Sequence, residues 1–181
     1  RHPAITQAFK DQLDHLDHIM FGNFTHDPAI ELSKRIVDIT PKGLSRVYYS
    51  DNGSTAIEVA LKMSLHYWVN HKQPQKNKLM FFKGSYHGDT IGAMSVSGVS
   101  QYNQVFRSLM FDAIQISDPS INETKALEAL ETQLNQQSHQ IAAVVIEPLL
   151  MGAGGMKITS PDFYTKVRAI TKAHNVHLIS D

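Results

Sequence analysis

Apolar residues at Ile5, Ala8, Phe9, Leu13 and Leu16 recur at helical spacing, so the sequence is predicted to open with an amphipathic helix whose role is packing. A turn-like segment, Phe21 to His26, leads to Asp27-Pro28. There Asp27 suits the N-cap and Pro28 the first helical position, and the helix is expected to run to about Ile39, ahead of Pro41. From Arg46 the pattern becomes strand then helix. Val47-Tyr48-Tyr49 predicts a short strand, Ser50 to Ser54 a polar turn, and the residues through Asn70 a long helix. Ala56, Ala60, Met63 and Tyr67 form one apolar stripe on that helix, and Ile57, Leu61 and Trp68 extend it around the cylinder. A helix so covered is expected to be largely buried.

Leu79 to Phe82 reads as the next strand. Gly84 to Met110 is rich in Gly, Ser and Asn and offers only short apolar runs, which predicts an extended loop region of the kind that carries function. Phe111 to Ile116 predicts a further strand, Glu123 to Asn135 a helix, and Ile141 to Ile146 the clearest buried strand. Glu147-Pro148 then gives way to a glycine-rich loop, Met151 to Met156. Ser160-Pro161 opens a helix reaching His174, and Val176 to Ser180 closes the series as a strand. Strands alternating with helices predict an α/β fold with a mostly parallel sheet and helices on both faces.

Composition narrows the function. The 181 residues are 42% hydrophobic and 19% charged, enough for a substantial core. Lysine plus arginine and aspartate plus glutamate number 17 each, so no net charge draws the chain to nucleic acid or an anionic membrane, and small-molecule chemistry is the expectation. The absence of cysteine excludes disulfides and thiolate metal sites and fits a cytoplasmic setting. No apolar run approaches the roughly 20 residues that span a bilayer. Because Arg1 opens the chain and Asp181 closes it directly after a predicted strand, both ends are expected to be cuts in a longer protein.

Four segments are candidates for chemistry. Gly53-Ser54-Thr55 falls between a predicted strand and helix, where free N–H groups and the helix dipole favour an anion such as phosphate. The same residues could instead be a cap, with Thr55 and Glu58 as a capping box. In Gly84-Ser85-Tyr86-His87-Gly88-Asp89, the glycines would let the backbone place Tyr86 over a flat ligand. The alternative is a turn bearing a surface Tyr86 and a solvated His87. No metal is expected there, since His87 and Asp89 lack ligand spacing. Asp181 lies at the carboxyl edge, where open α/β sheets bind ligands. Its charge would be costly at the end of an apolar strand unless it met a cation, such as a protonated pyridine nitrogen; a helix N-cap is the alternative. Glu147 ends a strand at the same edge, either to orient site groups or to bond loop amides.

Taken in order, His18-Ile19-Met20-Phe21-Gly22, Thr25-His26-Asp27-Pro28-Ala29, Asp51-Asn52-Gly53-Ser54, Tyr86-His87-Gly88-Asp89-Thr90, Gly92-Ala93-Met94-Ser95-Val96, Glu147-Pro148 and Gly152-Ala153-Gly154-Gly155-Met156 resemble the class III aminotransferases, within the fold-type I pyridoxal-phosphate (PLP) enzymes. The combination is specific, although each piece alone is not, and it covers nearly the whole chain. The resemblance implies a truncated fold-type I large domain: residues 1–181 as a partial PLP-binding domain with part of the N-terminal segment, and a C-terminal small domain absent. It implies PLP as cofactor, with Gly53 and Ser54 on its phosphate, Tyr86 stacked on it and touching substrate, and Asp181 paired with the pyridine nitrogen. Met20 and Gly22 would reach the substrate pocket of a partner subunit in a homodimer, with Glu147 and His87 as site support.

The Schiff-base lysine is expected beyond Asp181, so the chain by itself is expected to be inactive. Asn23 stands where family members often carry Gly. Ser97-Gly98-Val99 stands where many carry Cys-Asp-Pro, so the loop around Gln101 is expected to differ. Gly152 replaces the acidic residue of ornithine- and aminobutyrate-type relatives. It points to the biotin-synthesis branch, in which the amino group of S-adenosylmethionine passes to 8-amino-7-oxononanoate. The rivals are another class III transaminase acting on an ω-amino acid or diamine, and a non-catalytic phosphate-binding α/β module. The latter is disfavoured because no Gly-Lys-Ser/Thr follows a strand.

Overall fold

In the computed structural model, which describes residues 1–181 except for the side chain at position 100, the chain divides into two units, Arg1–Tyr49 and Ser50–Asp181.

The first unit contains helices α1 (Pro3–His15) and α2 (Asp27–Ile39). The stripe on α1 forms as the spacing predicts, but Ile5, Phe9 and Leu13 are each more than half exposed and no residue of the helix is buried. The packing role expected for it is therefore not met by any described residue of this unit. On α2 the cap shifts by one residue from the expected Asp27. His26 is extended and its ring accepts from the Ala29 N–H at 3.3 Å, which places Asp27 in the first turn, where its charge suits the helix dipole. Val47 to Tyr49 is not a strand. Tyr49 turns its hydroxyl onto α2, bonding the Ala29 carbonyl at 3.0 Å and the Ser33 hydroxyl at 2.9 Å.

The second unit runs α3 (Gly53–Asn70), β1 (Lys78–Phe82), α4 (Ile91–Ser95), α5 (Ser100–Asn103), β2 (Ile114–Ile116), α6 (Glu123–Gln137), β3 (Ile141–Ile146), β4 (Leu150–Met151), β5 (Lys157–Ile158), α7 (Pro161–Ala173) and β6 (His177–Ser180). Four strands form a parallel sheet in the order β2-β1-β3-β6. All six residues of β3 are buried because the strand is covered on both sides. Ile141, Val144 and Ile146 pack with Leu130 and Leu134 of α6 and Phe163 and Val167 of α7. Ala142, Ala143 and Val145 meet Ile57, Leu61 and Trp68 of α3 together with Ala93 and Val96. Strand β2 is shorter than expected, and the glycine-rich loop after Pro148 folds into the small β4–β5 hairpin.

Two differences from the sequence expectations have clear physical causes. On α3 the buried row is Ile57, Leu61, Ser64 and Trp68, while Met63 and Tyr67 of the expected stripe face solvent. Both rows satisfy helical spacing, and the choice is made by the sheet: Trp68 Nε1 donates to the Ala142 carbonyl at 2.9 Å and the Ser64 hydroxyl to the same oxygen at 3.3 Å. Gly84 to Met110 is not an extended loop but holds α4, α5 and a 3-10 turn over Gln104–Leu109. The first turn of α4 has no side-chain cap of its own. Glu58 of α3 supplies one, accepting from Gly92 N at 2.7 Å and Ala93 N at 3.3 Å. No described helix is long and apolar enough to cross a membrane.

Candidate active site at the carboxyl edge of the sheet

In a parallel sheet all strands deliver the chain to the same edge, so the segments after Phe82, Ile146 and Ser180 converge there. Asp181 remains in register, its N–H donating to the Ile146 carbonyl at 3.0 Å. A cavity of about 270 Å³ opens at this edge and is lined by Asn52, Gly53, Ser54, Tyr86, His87, Gly88 and Asp181. Four residues singled out from the sequence as cofactor contacts, Gly53, Ser54, Tyr86 and Asp181, thus share one pocket. Met20 and Gly22 lie in the other unit. Met20 is exposed, and Gly22 lines a separate cavity of about 730 Å³ with Phe21, Phe24, Ile30, Tyr48 and Tyr49 among its walls.

At the start of α3 the cap is Asn52, not Ser54 or Thr55. Asn52 Oδ1 accepts from Thr55 N at 3.0 Å and Asn52 N donates to Thr55 Oγ1 at 3.2 Å, closing a capping box in which Glu58 has no part. Thr55 is used up in that box. The amides of Gly53 and Ser54, in the first turn, have no partner among the described residues, and the space where a Gly53 side chain would stand is open. The Ser54 hydroxyl is engaged by Asp89 N at 3.2 Å.

Three successive residues form the opposite wall. Tyr86 is half-buried, with its ring edge-on to Tyr102 at 6.0 Å and its N–H donating to Glu147 Oε1 at 2.7 Å. Burial, then the carboxylate of Asp89, holds the Tyr86 hydroxyl above the ordinary phenol value, so it stays a neutral donor. The second oxygen of Glu147 accepts from Gly152 N at 3.0 Å, so its carboxylate bonds loop amides and, through one of them, fixes the Tyr86 backbone. His87 is not solvated as the turn alternative would have it. Its ring is fully buried, its backbone N–H donates to the Ser97 hydroxyl at 2.9 Å, and the ring's Nδ1 meets Asp181 Oδ2 at 2.7 Å. Gly88 adopts a φ of 123° and lies so close to Ser54 that a side chain there would strike its backbone.

Asn52 and Ser97 were named from the sequence only as parts of longer segments, with no role of their own. Asn52 was recoverable, as an Asn immediately ahead of a helix. Ser97 carried no local signal, because its role depends on a turn ten residues away. Chemically the pocket pairs unsatisfied amides at a helix N-terminus with a carboxylate whose Oδ1 has no partner among the described residues. It can therefore take a ligand with an anionic end and a protonated ring nitrogen, beside an aromatic wall.

A sheet of this order with its pocket at the carboxyl edge defines a doubly wound α/β ligand-binding domain. The chain belongs to the Aminotransferase class-III family, which matches residues 1–181. It is similar to the adenosylmethionine-8-amino-7-oxononanoate aminotransferase of Mycobacterium leprae, 41% identical over 185 residues that cover 99% of this chain and 42% of that protein. The Geobacter sulfurreducens protein of the same name is 38% identical over 189 residues, covering 98% of this chain and 42% of its own length. Among solved structures, the Methanocaldococcus jannaschii adenosylmethionine-8-amino-7-oxononanoate aminotransferase superposes with a TM-score of 0.94 at 33% identity, covering 99% of this chain and 41% of that one. A transaminase from the marine bacterium Virgibacillus superposes at 0.91 with 29% identity, covering 100% and 41%. The chain thus spans 42% of the length of these two curated relatives.

Proposed function

We propose that the full protein is a PLP-dependent aminotransferase of biotin synthesis, moving the amino group of S-adenosylmethionine to 8-amino-7-oxononanoate to give 7,8-diaminononanoate. The observation that carries the cofactor reading is the single pocket joining free α3 amides, the Tyr86 ring and the Asp181 carboxylate. The Gly53 and Ser54 amides suit a phosphate dianion. Asp181 suits a protonated pyridine nitrogen, and Tyr86 forms a wall that excludes water from a flat ring. When bound, PLP supplies an electron-poor ring that accepts the electron pair released at the donor's Cα. Asp181 keeps the proton on the ring nitrogen, which preserves that electron demand. No lysine lines this pocket among the described residues, and the Schiff-base lysine that moves the proton lies beyond Asp181 in this proposal.

The substrate reading is supported by the names of the relatives at 38% and 41% identity and by Gly152, which stands where ornithine- and aminobutyrate-type relatives carry an acidic residue. Met20 and Gly22 serve a partner subunit's pocket in a cytoplasmic homodimer. The test is an assay of the full-length protein with 8-amino-7-oxononanoate, comparing S-adenosylmethionine with alanine and a diamine as donors. Product formed from S-adenosylmethionine supports the proposal. Turnover only with the other amines would keep the cofactor chemistry and overturn the substrate.

A further inference from the structure

At the amino edge of the sheet, opposite the candidate active site, Lys76 lies in the connection between α3 and β1 and is only 5% exposed. A lysine is almost never buried without a partner of opposite charge, yet no carboxylate pairs with this one among the described residues. Its Nζ instead donates to three backbone carbonyls, Asn175 at 2.8 Å, Ser138 at 2.9 Å and Ile141 at 3.3 Å, and stands 4.3 Å from the centre of the Trp68 ring. Three acceptors use all three protons of an ammonium group, whereas a neutral amine would offer two and turn its lone pair on a carbonyl. The head group is therefore held as a cation, although burial lowers its pKa from the ordinary lysine value.

The acceptors sit where negative potential collects. Ser138 is the C-cap of α6, and Asn175, with a φ of 52°, directly follows the C-cap of α7, so both lie at the negative end of a helix dipole. Ile141 opens the central strand β3. The indole of Trp68 adds the electron-rich face of an aromatic ring. Clusters of carbonyl oxygens are also how proteins replace the hydration shell of a free monovalent cation.

We propose that the carbonyls of Ser138, Ile141 and Asn175, with the face of Trp68, form a monovalent-cation site that the chain fills with its own Lys76, a tethered ammonium clamping the ends of α6 and α7 to the sheet. The geometry sets the ligand class. Ammonium and potassium suit oxygens at 2.8 to 3.3 Å; sodium draws them closer, and a tetraalkylammonium is too bulky to enter. The inference is independent of the cofactor reading, since none of these residues lines the pocket at the carboxyl edge.

The test compares the full-length wild type with Lys76→Ala, which empties the site and the path to it, and Lys76→Met, which refills the path without a charge. Melting temperatures are read in tetramethylammonium, sodium, ammonium and potassium chlorides at equal ionic strength. In the tetramethylammonium salt both variants are expected to melt roughly 5 °C or more below wild type, as three buried carbonyls lose their donor. Potassium or ammonium should return about half of that loss or more to Lys76→Ala, saturably and ahead of sodium, while doing no more for Lys76→Met than for wild type. Hydrogen exchange over residues 138–141 and 175–177 should rise in both variants and be restored by potassium in Lys76→Ala alone. If Lys76→Ala does not fold in the tetramethylammonium salt, its refolding yield across the same salts reads the selectivity instead. A Lys76→Met protein as stable as wild type would show the charge to be dispensable and overturn the proposal. So would a Lys76→Ala protein whose melting temperature or refolding yield does not distinguish potassium and ammonium from sodium and tetramethylammonium.

Discussion

Gly88 and Ser54 compete for the same space, and this makes the wall of the pocket intolerant of change. A side chain at Gly88 meets Ser54 Cα at 2.9 Å, and the φ of 123° disfavours any L-residue. Gly88→Ala is therefore expected to cost about 2 kcal/mol or more by denaturant unfolding and to displace Tyr86 and His87 with it. Glu147→Ala leaves the Tyr86 and Gly152 amides without their acceptor, each loss being about 1–3 kcal/mol where the group stays dry. Glu147→Gln keeps one acceptor and should recover roughly half, a comparison that equilibrium unfolding of the three proteins would settle. The Gly88–Ser54 and Glu147–Tyr86 contacts join residues far apart in sequence. Periodicity places Gly88 and Glu147 in loops at the right edge, yet it carries no information about which atoms they touch.

At the scale of elements, α3 shows how far an apolar pattern reaches. The pattern establishes the helix and its length, and the sheet then chooses the row. Leu61→Ala, on the buried row, is expected to cost about 2–5 kcal/mol, whereas Met63→Ala, on the row the sequence favoured, should change stability by less than about 0.5 kcal/mol. Similar losses at the two positions would contradict the observed rotation of the helix. Helix α4 illustrates the converse. Its five residues are too few to form a helix alone, and it persists because Glu58 reaches across from α3 to cap it. Glu58→Ala should raise amide exchange across residues 91–97 while leaving that of β3 unchanged, which hydrogen-exchange mass spectrometry can resolve.

For the molecule as a whole, half-buried His177 and buried Asp118 contribute to the acid stability. His177 is held below its ordinary value by burial, then by Lys76 and His71; its ring stacks on Trp68 at 4.7 Å and its Nδ1 bonds the Ser64 hydroxyl at 2.9 Å. The folded state thus takes up this proton less readily than the unfolded chain. Its contribution is complete above the unfolded pKa of about 6.5 and is lost as the pH falls below it. Asp118 is pushed up by burial, but hydrogen bonds from Lys157 at 2.7 Å and from Ser120 outweigh that and hold it below the ordinary carboxylate value. Its contribution is present above an unfolded pKa of about 3.9 and is lost as the pH falls through the lower folded value. The denaturation midpoint should therefore fall in two stages, followed by fluorescence of Trp68, the only tryptophan in the chain. His177→Asn should remove the first stage and leave the second. A first stage that survives this substitution would reassign it to another histidine.

The order of the long helices and the main strands, the parallel sheet and the edge at which chemistry would sit were determined by the sequence alone, whereas α4, α5 and the β4–β5 hairpin were not. Helix and strand periods, and the Ser, Pro and Gly residues that punctuate them, act over a few residues and are written locally. The Tyr86-His87-Gly88 turn and the Asp181 carboxylate could likewise be assigned to one edge, because every strand of a parallel sheet ends there. The tertiary structure alone decided which row of α3 is buried, that Asn52 and not Thr55 or Ser54 caps it, that Tyr49 serves a helix instead of a strand, and that His87 turns inward. The His87–Asp181 bond joins residues 94 positions apart. Such pairings depend on how whole elements pack, since a side chain's burial and hydrogen-bond partners are properties of the assembled neighbours, not of the segment that carries it.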